Sequence, residues 1–231
     1  MAMSASVAKV ATAMAAGIAI VAAATTCAMP AQAKDWSASF PSGKDVPKSL
    51  GTYDAKPFVD ASSAPKGGWY PCAAFTVPAA STVVDGSYSP HSRTEKLLDA
   101  RAYVYASAAK AEAAFARLSA KLSTCDGKAN SKFGESGPNT MRTTTTTGTL
   151  DDLTITGVPS VYVYGRTVPL PGAGHPAVNS GGSYDVYTLV NDTILMMTAS
   201  QAGQAGYTPA QQAAVVDFAS AFEESWALAN D

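Results

Sequence analysis

The stretch from Lys96 to Cys125, KLLDARAYVYASAAKAEAAFARLSAKLSTC, constrains the fold more than any other part of the chain. It carries a strand, a helix start, a helix face and a cysteine in one run. Leu97 to Ala106 alternates as a half-buried strand does, and Ser107 is a residue type that caps a helix through its side-chain oxygen. Ala111, Phe115, Leu118 and Leu122 follow at steps of four, three and four, which places them on one helical face. Ser123-Thr124-Cys125-Asp126-Gly127 predicts the end of that helix, since glycine just past the last turn permits the left-handed backbone that closes it.

The final helix is written in the same way. Thr208-Pro209-Ala210-Gln211 offers a capping threonine, a proline at the first helical position and a glutamine three residues after the cap, the pattern of a capping box. Val215, Ala219, Phe222 and Trp226 then repeat the four, three, four spacing. Between the helices, Met141 to Thr147 is a threonine-rich run suited to extended chain. Ser160 to Val168 alternates Val161 and Val163 with Tyr162 and Tyr164. Tyr184 to Val190 and Thr193 to Ser200 flank Asn191-Asp192, a pair that tolerates a tight turn, and so predict a hairpin. Val83 to His91, with Asp85-Gly86 and Ser89-Pro90, reads as turn and loop. The fold class implied by these elements is α+β: an antiparallel sheet with two main amphipathic helices packed on one face.

Residues 1–33 read as an export signal. Lys9 is their only charge, an Ala, Val and Ile-rich core follows, and Ala31-Gln32-Ala33 is an A-x-A cleavage site. Two other readings are a lipid anchor on Cys27, which lacks the usual lipobox neighbours, and an uncleaved anchor over Val10 to Met29, which is only weakly apolar. Secretion to the cell envelope or the exterior is the expectation. The chain then divides into the signal at 1–33, a Pro-rich tether or strap at 34–68 and one domain at 69–231. Trp36, Phe40, Tyr53 and Phe58 are more aromatics than a spacer needs, so one expectation is that part of the strap lies against the domain; a loose leader with scattered aromatics is the competing reading.

The signal would take one of the three cysteines with it. Cys72 and Cys125 are left in an oxidising compartment, and a disulfide between them is expected, worth about 4 kcal/mol on the chain-entropy model. Two buried free thiols are the competing reading. There are 16 basic residues, one of them in the signal, against 18 acidic. That slightly acidic balance argues against nucleic acid or an anionic membrane surface as a main partner.

Residues suited to catalysis are few. His91 sits beside a proline in a turn and His175 in the Gly and Pro-rich loop from Pro169 to Gly182; neither has a ligand-spaced or triad-like neighbour. There is no G-x-S-x-G, S-x-x-K or Walker loop, and no cofactor or metal is called for. Asp151-Asp152 and Glu223-Glu224 read as solvated charge. The tyrosines are the more suggestive feature. Tyr103 and Tyr105 alternate on one strand, Tyr162 and Tyr164 on another, and in a shared sheet they could form one aromatic surface, rimmed by the loop that carries His175.

Tyr103-Val104-Tyr105-Ala106-Ser107-Ala108-Ala109, Ala111, Ala114, Cys125, the hairpin Asn191-Asp192-Thr193-Ile194, and Phe218 to Trp226 together give a pattern. Over roughly Trp69 to Leu228 it resembles the extracellular sensor domain of actinobacterial receptor serine/threonine kinases of the PknH type, with its secreted or lipoprotein relatives. The resemblance implies an α+β domain with a cleft for an extracellular ligand. This chain departs from that family in having one possible disulfide rather than two, and neither kinase domain nor membrane span after the signal. The function expected is a non-enzymatic envelope domain that binds a small extracellular ligand or envelope component, apolar or sugar-like, in a cleft lined by Tyr103, Tyr105, Tyr162, Tyr164 and His175. Alternatives are an interaction or structural module without a pocket, and a hydrolase using His91 or His175.

Overall fold

The computed structural model describes residues 34–62, 80–92, 96–124, 129–130, 141–149, 159–169, 181–202 and 206–230. The chain divides into two compact units, Met1–Lys34 and Asp35–Asp231. Among its described residues the second contains eight strands and two long helices: β1 (Phe58–Ser62), β2 (Thr82–Tyr88), β3 (Leu97–Val104), α1 (Ala108–Ser123), β4 (Ala129–Asn130), β5 (Met141–Thr149), β6 (Ser160–Pro169), β7 (Gly181–Val190), β8 (Thr193–Ala202) and α2 (Pro209–Asn230). The strands form one sheet in the order β1-β2-β3-β8-β7-β6-β5-β4, and every neighbouring pair is antiparallel. No helix among the described residues is long and apolar enough to cross a membrane.

Local chemistry sets the elements. The Ser107 side chain accepts the Lys110 N–H at the start of α1, and Ala111, Ala114, Phe115, Leu118 and Leu122 form its buried face. Its glycine stop at Gly127 lies outside the described residues. At the start of α2 the capping box is made in both directions. The Thr208 N–H donates to Gln211 Oε1 at 3.1 Å, and the Gln211 N–H donates to Thr208 Oγ1 at 3.2 Å. In the β7–β8 turn Asn191 takes φ 50°, a left-handed backbone that Asn accepts more readily than most residues.

The α+β architecture, with an antiparallel sheet and two main helices, is the one expected; the placement of both helices on one face is not. Successive strand residues point to opposite faces, and the two helices bury opposite sets. Beneath α2 lie Leu98, Ala100 and Ala102 of β3 with Leu195, Met197 and Ala199 of β8, packed against Val215, Phe218, Phe222 and Trp226. Beneath α1 lie Tyr103, Ile194, Met196 and Tyr187, packed against Phe115, Leu118 and Leu122. Register confirms the parity, because Ala102 faces Leu195 while its neighbour Tyr103 faces Ile194. The helices cover opposite faces of the sheet, and β7 and β8 contact both of them.

The segment before β1 completes the α2 face. Trp36 stacks on Trp226 with ring centroids 5.3 Å apart, and Phe40 stacks on Phe222 at 4.9 Å. The Tyr88 hydroxyl donates to the Pro41 carbonyl at 3.1 Å, and the Asn230 amide donates to Ser39 Oγ at 3.3 Å. Val46, Leu50 and Tyr53 join the same buried cluster. Phe58–Ser62 then pairs along β2 as the edge strand.

Residues 83–91, expected as turn and loop, are mostly strand instead. Val83 and Val84 are fully buried on opposite faces and Tyr88 is buried with Val84, so burial prevails over the turn chemistry of Asp85-Gly86. The aspartate pairs across the strands with Arg101. The glycine is required for packing: a Cβ at Gly86 would come within 2.6 Å of the Phe40 ring.

Two substitutions test this packing by urea unfolding. Phe40→Ala should destabilise by about 3–5 kcal/mol, as for a buried core aromatic. Gly86→Ala should cost about 1–3 kcal/mol through the clash with Phe40, whereas a glycine in an open loop would tolerate the methyl group with little change.

Candidate ligand site

The four tyrosines singled out in the sequence are split by the sheet. Tyr103 is 1% exposed and belongs to the α1 face. Its hydroxyl accepts from Arg101 Nη1 at 3.3 Å and lies 3.9 Å from Met196 Sδ, and the guanidinium stands 5.9 Å from its ring centroid. Tyr105 is buried with it. Tyr162 and Tyr164 are half-buried against the α2 face. The reason is parity across the register: Tyr162 faces Val186, Val186 faces Met197, and Met197 faces Ala100, so the even positions of β3 and β6 share a face and Tyr103 and Tyr105 take the other. A single surface made of all four does not exist. His175 lies outside the described residues, as do Cys27, Cys72 and Cys125.

What the fold assembles instead is a cluster on the α2 face around Tyr162 and Tyr164. Tyr184 is the cross-strand partner of Tyr164, and its ring stacks on Tyr162 with centroids 5.6 Å apart and an interplanar angle of 6°. Tyr207, just ahead of the α2 capping box, packs 6.1 Å from Tyr164 and 6.3 Å from Tyr184, and its N–H donates to the Tyr164 hydroxyl at 3.1 Å. Lys96 closes the group, with Nζ 5.6 Å from the Tyr207 ring centroid, inside the range of a cation–π contact. The Lys96 backbone is held from the N-terminal segment: the Tyr53 hydroxyl meets the Lys96 carbonyl at 2.7 Å and the Leu50 carbonyl at 3.0 Å.

The electrostatics of the cluster are those of a desolvated site. Burial lowers the Lys96 ammonium pKa from its ordinary value. Burial pushes the Tyr184 phenol up to about 12, with Tyr162 adding to the shift. Tyr207 is raised by burial first, then by Asp185, Tyr53 and Tyr164. Its hydroxyl is buried without a hydrogen-bond partner. Tyr184, Tyr207, Tyr53 and Lys96 were not legible as site residues, since each owes its place to strand register or to a contact distant in sequence.

The histidine that is described, His91, meets Asp54 at 3.1 Å with more than half of each side chain exposed, 53% and 63%. That is a solvated surface contact of small energetic worth. Among the described residues no group of three or more His, Cys, Asp or Glu side chains is placed to hold a metal ion.

Three comparisons with known proteins bear on this α+β domain. No family model matches the chain, and no curated protein matches it. Among solved structures it is similar to the crystal structure of the extracellular domain of PknH from Mycobacterium tuberculosis, with 15% identity and a TM-score of 0.49 over 75% of this chain and 83% of that one.

On the α1 face a carboxyl group is buried as well. Asp185 is 3% exposed, with Oδ1 unpartnered. Burial pushes its pKa up from 3.8 to about 7, and the facing Thr198 acts in the opposite sense. The folded protein therefore keeps a proton that the unfolded chain releases near pH 4. Stability from this group is fully present below about pH 4, falls as pH rises toward 7, and is level above that. Urea midpoints measured from pH 4 to 8 should show this decline in the wild type and lose it in Asp185→Asn. An unchanged slope in the variant would assign the decline to other groups.

Proposed function

We propose that this is a secreted or envelope-associated binding domain, without catalytic activity, that takes an extracellular apolar or sugar-like ligand at the cluster of Tyr162, Tyr164, Tyr184 and Tyr207. The observation that carries the reading is the arrangement of these rings. Two are half-buried and present accessible aromatic surface, while Tyr184 and Tyr207, at 4% and 5% exposure, fix them from behind. Amphipathic rings held rigidly suit ligands that combine apolar faces with hydroxyls. Secretion is supported by the signal-like residues 1–33, and the contrast between Tyr162-Tyr164 and the enclosed Tyr103-Tyr105 favours binding on the α2 face alone.

Native mass spectrometry of the protein secreted by its own host tests the proposal. The expected result is an added mass that persists under native conditions, disappears on denaturation and is absent in Tyr162→Ala/Tyr164→Ala. Retention of the same mass by that double variant would remove the cluster as the site. In the same experiment the denatured protein should have the mass of a chain starting at Lys34, and reduction should add two hydrogens from Cys72 and Cys125. A covalent lipid on Cys27 would replace secretion with anchoring.

A further inference from the structure

Lys96 is 8% exposed. Lysine is seldom buried to that degree without an opposing charge, because its ammonium loses hydration that only an ion pair or several acceptors restore. Among the described residues no carboxylate pairs with Lys96: the ion pairs there join His91 to Asp54 and Arg101 to Asp85. Its compensation within the fold is the Tyr207 ring face. The same tyrosine supplies an unsatisfied group, since Tyr207 is 5% exposed and its hydroxyl is a buried donor with no partner. Buried polar groups are nearly always satisfied, and leaving a donor unmade costs more than a typical hydrogen bond contributes.

Two further features make this a prepared site and not an accident of packing. The Lys96 backbone is pinned through its carbonyl by Tyr53, so the lysine stem leaves from a fixed point. The Tyr207 backbone is pinned at both ends, by its N–H on the Tyr164 hydroxyl and by its carbonyl, which accepts from Gln212 Nε2 at 3.3 Å. The Tyr207 ring is thus held beside Tyr164 and Tyr184, with the Lys96 ammonium against its face.

We infer that the ligand of the tyrosine cluster is acidic, carrying a carboxylate or phosphate group that takes its charge complement from Lys96 and a hydrogen bond from the Tyr207 hydroxyl. The inference rests on the binding reading above and adds the ligand's charge to it. A carboxylate or phosphate meets both needs, because it neutralises the ammonium and accepts from the phenol, and charge-assisted hydrogen bonds of this kind are the stronger ones. A neutral ligand would leave the ammonium with the Tyr207 ring face alone. The tyrosine rings serve the rest of the molecule, whether a sugar or an acyl chain.

The test uses matched acidic and neutral probes: glucuronate against glucose, octanoate against octanol, and inorganic phosphate alone. Each is titrated into the isotope-labelled full-length mature protein at constant ionic strength, following the Lys96 side-chain signal and the ring signals of Tyr162 and Tyr164 by NMR. The acidic member of at least one pair should bind more tightly and shift the Lys96 signal. Lys96→Gln should weaken that binding by about tenfold or more, Lys96→Arg should retain most of it, and Tyr207→Phe should weaken it to a smaller extent. Glucuronate and octanoate separate a sugar carrier from an acyl one, and phosphate shows whether the anion suffices. Acidic and neutral members that shift the tyrosine rings equally, with Lys96→Gln unaffected, would overturn the inference and leave the binding reading standing. Acidic probes that fail to move Lys96 at any concentration up to saturation of the tyrosine signals would also overturn it. If no probe moves either set of signals, both the acidic-ligand inference and the sugar-like or apolar reading fall.

Discussion

A sheet whose central strands carry apolar side chains on both faces must be covered on both faces, and the rest of this structure depends on that requirement. β3 and β8 lie side by side in the interior of the order. Leu98, Ala100 and Ala102 alternate with Tyr103, and Leu195 and Met197 with Ile194 and Met196, all buried. Each long helix must therefore take a different face. α1 has its apolar residues in a single stripe and rests on one. α2 is the longer and more apolar, and the face it covers is finished by Trp36, Phe40, Val46, Leu50 and Tyr53. The segment before β1 thus belongs to the core of that face.

The same requirement explains where polar groups become interesting. Where both faces are covered, a polar side chain on these strands is desolvated and is either paired or perturbed, while Asp99 near the start of β3 stays exposed. Arg101 and Asp85 pair, with the guanidinium also on Tyr103. Asp185 is perturbed instead. On the α2 face, where β3 begins and α2 starts, Lys96 and Tyr207 are enclosed beside tyrosines that are only half covered. There, a buried lysine and an unpartnered buried phenol adjoin half-covered tyrosines, the combination that a ligand with both a charge and an apolar face would complete.

Much of the fold was legible because it is written locally. The spacing of Ala111, Phe115, Leu118 and Leu122, the capping box of Thr208 and Gln211, and the turn at Asn191 each need only a few residues to declare themselves. β2 was hidden because Gly86 has the composition of a turn and the purpose of a packing position: its missing Cβ is space for Phe40, a residue far away in sequence. The faces were hidden for a related reason. Alternation says that Tyr162 and Tyr164 point the same way, but whether Tyr103 points with them depends on strand order and register, and β8 and β7 intervene between β3 and β6. Of the site, Tyr162 and Tyr164 were visible, and Tyr184, Tyr207, Lys96 and Tyr53 were not, since their meeting depends on pairing between strands and on the path of the N-terminal segment.

Residues 36–54 are part of the folded core, closing the α2 face and fixing Lys96 from behind, and native-state hydrogen exchange tests this most directly. The Asp54 N–H donates to the Ser89 carbonyl at 3.0 Å and the His91 N–H to the Thr52 carbonyl at 2.9 Å, and both amides report on whether this segment stays in place. They should exchange through the same cooperative opening as the amides of β8, with protection of the same order. Exchange at both amides close to the rate of unstructured chain, while β8 remains protected, would show that the segment detaches independently and would contradict its place in the core.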